Sequence, residues 1–242
     1  MLLCDLFIAI SVVARNVAAV PVDHVASHAA LNNSLEGYEI VDYTWSLCPY
    51  FDHRDCRRFQ GTIQQGVAAM NKINPDYGAE LIARSNSSML FQPLNNSTNV
   101  PLNSSMTIPG DYNPKSHKCG APYTACYYQR IFQGVMYLLG LDKDHDKPHL
   151  EKKTCSRVSC SYKSAIWLCN DVSETEWKRA SLTQVDLQHS EPYDIERWHW
   201  VGMAAYWIDE ACKDERGIWT SGRRDFFEKW HVQVQWDETN GC

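Results

Sequence analysis

Two histidines carry the most reactive pattern in this chain. His199 sits in an apolar helical stretch, and His231 falls on the polar side of an alternating strand. Sharing a cleft with Glu196 or Arg197, they would form an acid/base pair of the kind a small secreted ribonuclease or other hydrolase uses. Two histidines this far apart also occur as ordinary surface or interface residues, and that is the plainer expectation. His145 and His149 are four apart, but Pro148 lies between them and spoils a helical metal-binding face. The run Asp142-Lys143-Asp144-His145-Asp146 has the acidic spacing of a calcium loop. Lys147 stands where that loop needs glycine and Lys153 where it needs the closing glutamate, so a solvated acidic loop is the better reading. No nucleophile elbow, zinc-protease helix, dinucleotide fingerprint or phosphate loop is present. The sequence predicts no cofactor and no metal.

The cysteines point to structure rather than reactivity. Leu2 to Val13 is an apolar run too short for a membrane span, which needs about 20 such residues. Val17-Ala18-Ala19 follows and suits cleavage, so residues 1–19 read as a secretory signal peptide. Cys4 leaves with it. Nine cysteines remain, and in an oxidising compartment most are expected to pair. Cys242, the last residue, is the easiest to leave out, free for a bond to another chain. Cys48, Cys56, Cys119, Cys126, Cys155, Cys160, Cys169 and Cys212 then make four bridges, in any of about 105 pairings. No paired C-x2-C knuckles suggest zinc. Sequons at Asn32, Asn86, Asn95, Asn96 and Asn103 predict glycans, four of them clustered within residues 86–105. Dibasic pairs at Lys178-Arg179 and Arg223-Arg224 read as solvated charge.

Composition bounds the class. Hydrophobic residues make up 44%, enough for a packed core. The net charge of −6 gives no electrostatic reason to seek nucleic acid or anionic lipid, and no later stretch is apolar enough to span a bilayer. The nine tryptophans are expected mainly in the core, with glycan-binding surface as the alternative.

The elements that must position these residues follow from periodicity. Residues 20–36 read as a loose arm and Tyr38–Trp45 as a strand. Asp52 can cap a helix whose apolar positions are Cys56, Phe59, Ile63, Val67 and Met70, and Asn74-Pro75 stops it. Residues 85–118 hold the sequon cluster and four prolines, and read as a glycosylated surface insertion. Pro122 opens a helical pattern with Tyr128, Phe132, Val135 and Leu139 on one face, ending at Gly140. Thr154–Tyr162 and Ala165–Asn170 form a hairpin. Ile195–Cys212 is a long helix with a stripe of Ile195, Trp198, Val201, Gly202, Ala205, Ile208 and Cys212. Trp230–Trp236 alternates as a half-buried strand with one wet face. The sequence therefore predicts one α+β domain over 37–242: an antiparallel sheet with a split βαβ core, packed against helices and stapled by disulfides.

The hairpin segment Cys155-Ser-Arg-Val-Ser-Cys160, continued by Ser-Ala-Ile-Trp-Leu-Cys169-Asn-Asp171, resembles a segment of small secreted cysteine-rich fungal proteins. These include candidate effectors, some similar to necrosis-inducing extracellular effectors and to the virally encoded killer toxins of smut fungi. The resemblance spans roughly residues 119–236 in motif order. It implies a compact α+β sandwich with a split βαβ core and structural cysteines, and it offers no catalytic residues to carry over. Cys48–Cys56 and the glycosylated insertion make this chain larger than the simplest members. Three readings result. The first is a secreted effector or toxin-like protein that binds a host or competitor protein or glycan. The others are a small hydrolase using His199 and His231, and a wall protein whose tryptophans bind glycan.

Overall fold

The computed structural model describes residues 35–52, 55–88, 114–141, 147–173, 195, 197–239 and 242. The signal segment 1–19, the sequons at Asn32, Asn95, Asn96 and Asn103, the acidic loop 142–146, Lys178-Arg179 and Glu196 lie outside them.

Ten strands and four helices form one large sheet and two small ones among the described residues. The large sheet contains β1 (Glu39–Val41), β4 (Pro114–Cys119), β6 (Thr154–Ser161), β7 (Ser164–Asn170), β9 (Gly222–Phe226) and β10 (Trp230–Trp236), in the order β1-β6-β7-β10-β9-β4. It is mixed: β1 runs parallel to β6, and every other neighbour is antiparallel. The α+β class is as expected. The split takes a different form, because β1 lies directly beside β6. An antiparallel strand, β7, instead separates the parallel pair β6 and β10. The minor sheets are β2 (Thr44–Leu47) with β3 (Arg57–Gln60), and β5 (Cys126–Tyr127) with β8 (Trp219–Thr220).

The hairpin β6–β7 forms where its alternation requires. Its two-residue turn, Tyr162-Lys163, has φ of 49° and 63°, the left-handed pair of a type I′ turn made without glycine or asparagine. On one face of the sheet the helices α1 (Ile63–Met70), α2 (Tyr77–Ser88), α3 (Tyr128–Gly140) and α4 (Trp198–Cys212) share the main core. Ile131, Val135 and Leu138 of α3 and Val201, Ala205 and Ile208 of α4 meet Ile166, Leu168, Val232 and Val234 there.

Four sequence expectations shift. The single strand expected over Tyr38–Trp45 is two, β1 and β2, in different sheets. The helix expected from Cys56 starts only at Ile63. The Cys48–Cys56 bond closes the β2–β3 hairpin, and Phe59 stacks on Trp45 across it instead of continuing a helical stripe. Thr62 N–H donates to Gln65 Oε1 to begin α1. The region read as one insertion begins with the end of α2, which carries Asn86, and closes with edge strand β4. Finally, β10 has no wet face: His231, Gln233 and Gln235 are as buried as Val232 and Val234. Of the tryptophans, Trp45, Trp167, Trp198 and Trp230 are core, while Trp200, Trp207, Trp219 and Trp236 are half-buried.

Gly140 ends α3 for a packing reason. A Cβ there would lie 2.0 Å from the Leu81 carbonyl oxygen of α2, so only glycine lets the two helices come this close. Gly140→Ala should destabilise the fold by about 1–3 kcal/mol, seen as a lower urea midpoint with an unchanged slope.

Candidate functional site

The face of the large sheet turned away from the helices carries a polar cluster. Strand alternation sends His231 to the side opposite Val232 and Val234. Asp171 follows β7 directly, and its Oδ1 lies 2.7 Å from His231 Nδ1. The Tyr38 hydroxyl donates to the same oxygen. Arg223 of β9 sits 2.5 Å from Asp225 and 3.7 Å from Asp171, and the Ser116 hydroxyl donates to Asp225. Burial alone would push the Asp171 carboxyl up, but the bonds from His231 and Tyr38 and the charge of Arg223 outweigh it and hold the group below its ordinary value. Burial holds the His231 imidazole low, only partly offset by Asp171. Near neutral pH the pair is therefore a carboxylate and a neutral imidazole that donates its Nδ1–H.

This pair has the connectivity of a catalytic acid–imidazole unit without the access. His231 is 0% exposed, and its Nε2 has no hydrogen-bond partner among the described residues. A ring nitrogen of His231 and the sulfurs of Cys155 and Cys169 lie within 4.8 Å of one another, so the ring rests against the disulfide. No substrate atom reaches that nitrogen. Nor do the donors suit a cation: Asp171, Asp225 and His231 converge, but the Arg223 guanidinium already supplies the positive charge between the carboxylates.

His199 is not brought to His231. It lies half-buried in the first turn of α4, edge-on to Trp200, and α4 packs on the opposite side of β10. Burial, then the charge of Arg197, lower its pKa. The two histidines occupy different layers and share no cleft, because a helix on the Val232/Val234 face cannot meet the alternate side chains of the same strand.

The bridges are Cys48–Cys56, Cys119–Cys212, Cys155–Cys169 and Cys160–Cys242. Cys242 is thus tied to β6 rather than free for another chain. Cys126 takes its place as the unpaired cysteine among the described residues. It is buried in β5, where its thiol donates to the Thr220 carbonyl at 3.3 Å and burial pushes its pKa up, so it is no nucleophile. Beside it stands an acidic residue that no sequence motif marks. Asp209 of α4 is fully buried, and neither carboxylate oxygen has a hydrogen-bond partner among the described residues. Burial, then repulsion from Glu210, pushes it up to about 8. Its helical position next to Ile208 and one turn after Ala205 placed it on the inward stripe, which was the available signal.

The accessible chemistry is aromatic. Tyr127 of β5 stacks on Trp219 of β8 at 4.4 Å and approaches Trp236 at 6.2 Å. The Lys163 ammonium lies 5.6 Å from the Trp236 ring, and the neighbouring Tyr162 carries Arg130 over its ring at 3.8 Å. Tyr127 is 40% and Tyr162 65% exposed. Two ring–cation groups, Tyr127/Trp219/Trp236 with Lys163 and Tyr162 with Arg130, thus sit near the β6–β7 turn. No protein family, characterised protein or solved structure matches this chain. No helix among the described residues is long and apolar enough to cross a membrane.

Two pH dependences follow. Asp209 keeps in the fold a proton that the unfolded chain releases near pH 4, so its contribution to stability falls as pH rises from there through about 8. Asp209→Asn should remove that slope and stabilise the protein by roughly 1–3 kcal/mol at pH 8.5, measured by urea unfolding. His231 acts with the opposite sign. Its folded pKa is lowered, so stability is lost as pH falls below the ordinary histidine range, where only the unfolded chain takes up the proton. His231→Gln should flatten the loss of urea midpoint between pH 7 and pH 5.

Proposed function

We propose that this protein is a secreted effector or toxin-like protein that acts by binding a target in another organism, not by catalysis. The contrast between the two candidate surfaces carries this reading. His231 is sealed inside the sheet, whereas the rings of Tyr127 and Tyr162, beside half-buried Trp219 and Trp236 and the cations Lys163 and Arg130, lie at the surface. Exposed aromatics with adjacent cations are the residue types that dominate recognition hot spots. Four disulfides fit an oxidising destination, and the likeness of the hairpin segment to fungal effectors agrees.

The same rings favour a glycan target as a second reading, since aromatic faces pack on the apolar faces of sugars. Labelled protein applied to plant, insect and fungal cells, and to chitin and glucan, separates the two. Binding to cells but not to isolated polysaccharide supports a protein target, and the reverse supports a wall glycan. The double substitution Tyr127→Ala with Tyr162→Ala should weaken binding by roughly tenfold or more while leaving the disulfides formed. Absence of any binding, or equal binding by the variant, would remove this surface from the mechanism.

A further inference from the structure

The four disulfides differ in what surrounds them. Cys155–Cys169 is wholly enclosed; Cys48–Cys56 joins a buried to an exposed cysteine, and Cys160–Cys242 a buried to a half-buried one, so only Cys119–Cys212, among the described bridges, has neither partner buried. Cys119–Cys212 faces solvent, with Cys119 exposed and Cys212 half-buried. His117, two residues before Cys119 on β4, places its Nε2 3.2 Å from both sulfurs. Arg224 lies directly opposite His117 in the β4–β9 register. Gly222, opposite Cys119, has no side chain to cover the bond; a Cβ there would come within 2.8 Å of Cys212 Sγ. An accessible disulfide with an imidazole at hydrogen-bond range of each sulfur is equipped for proton transfer during exchange.

We propose that Cys119–Cys212 is a thiol–disulfide exchange site, opened by an external dithiol with His117 carrying the proton. Burial and the Arg224 charge hold the His117 pKa low, so its imidazole is neutral near pH 7 and can accept a proton. The first thiol of the dithiol gives its proton to His117 Nε2 as its sulfur bonds to the more accessible Cys119 Sγ. The Cys119–Cys212 bond breaks, its electron pair leaves on Cys212, and His117 hands the proton to that sulfur. The second thiol of the dithiol then attacks its own bound sulfur and releases Cys119, which takes up the second proton. The dithiol ends as a disulfide, and Cys119 and Cys212 end as thiols, so electrons and protons balance. Opening the bond unties edge strand β4, which pairs only with β9 among the described residues, from the C-terminus of α4.

The test uses the full chain and dithiothreitol. Limiting reductant is followed by alkylation of new thiols and mass-spectrometric mapping. Cys119 and Cys212 should be labelled before any of the other six paired cysteines. His117→Gln should slow that labelling at least about tenfold at pH 7, with the bond formed and the urea midpoint unchanged. Another bond opening first, or an unchanged rate in His117→Gln, would overturn the proposal. Should the variant not fold, the order of opening in the natural chain decides alone.

Discussion

Strands β7 and β10 are covered on both faces, and the side chains of the sheet divide accordingly. One face is apolar and takes all four helices. The other carries His231, Gln233 and Gln235, which have no access to water and must be satisfied inside the protein. Asp171, at the end of β7, answers His231, and Tyr38 from the segment before β1 and Arg223 of β9 in turn hold Asp171. A triad-like arrangement is thus the solution to a burial problem. The absence of a path to His231 Nε2 separates it from a catalytic unit, which needs its base within reach of a reacting proton.

The disulfides divide along the same lines. Cys155–Cys169 joins directly paired residues of the hairpin beneath His231, and Cys160–Cys242 brings the chain end against the polar face. Both reinforce the side that lacks helices. A second, smaller apolar cluster of Leu35, Trp167 and Ala165 gathers around these sulfurs. Cys119–Cys212 instead joins a sheet edge to a helix end, with Cys119 exposed and Cys212 half-buried. Bonds that fill a core and a bond that ties down an edge are therefore chemically distinct, although all four are the same linkage.

Much of the architecture is legible from side-chain period. The hairpin β6–β7 and strand β10 fall where alternation puts them, because that pattern is fixed by backbone geometry, and α3 ends at Gly140 as expected but begins at Tyr128, not at Pro122, and turns Phe132 outward. Phe59 fits a helical period although it belongs to a strand, because a residue facing Trp45 across a hairpin can also sit at a helical interval from Ile63 and Val67. Strand β4, with the sequence PKSHKC, has almost no apolar signal, since an exposed edge strand needs none. The wet face assigned to β10 rested on polar residue types, and a polar residue in a strand does not reveal whether water or Asp171 answers it. His199 and His231 were paired by type alone, and strand alternation puts them on opposite sides.

The α+β class, the central hairpin, the main helical stripes and a cysteine content suited to cross-linking are properties of local spacing and are carried by the order of residues alone. Folding settles which sulfurs pair, that among the described residues Cys126 and not Cys242 is unpaired and Asp209 is buried without a hydrogen-bond partner, and that His231 is closed in while Tyr127 and Tyr162 lie open. Those outcomes depend on which residues meet across long separations, and neither period nor composition encodes that meeting.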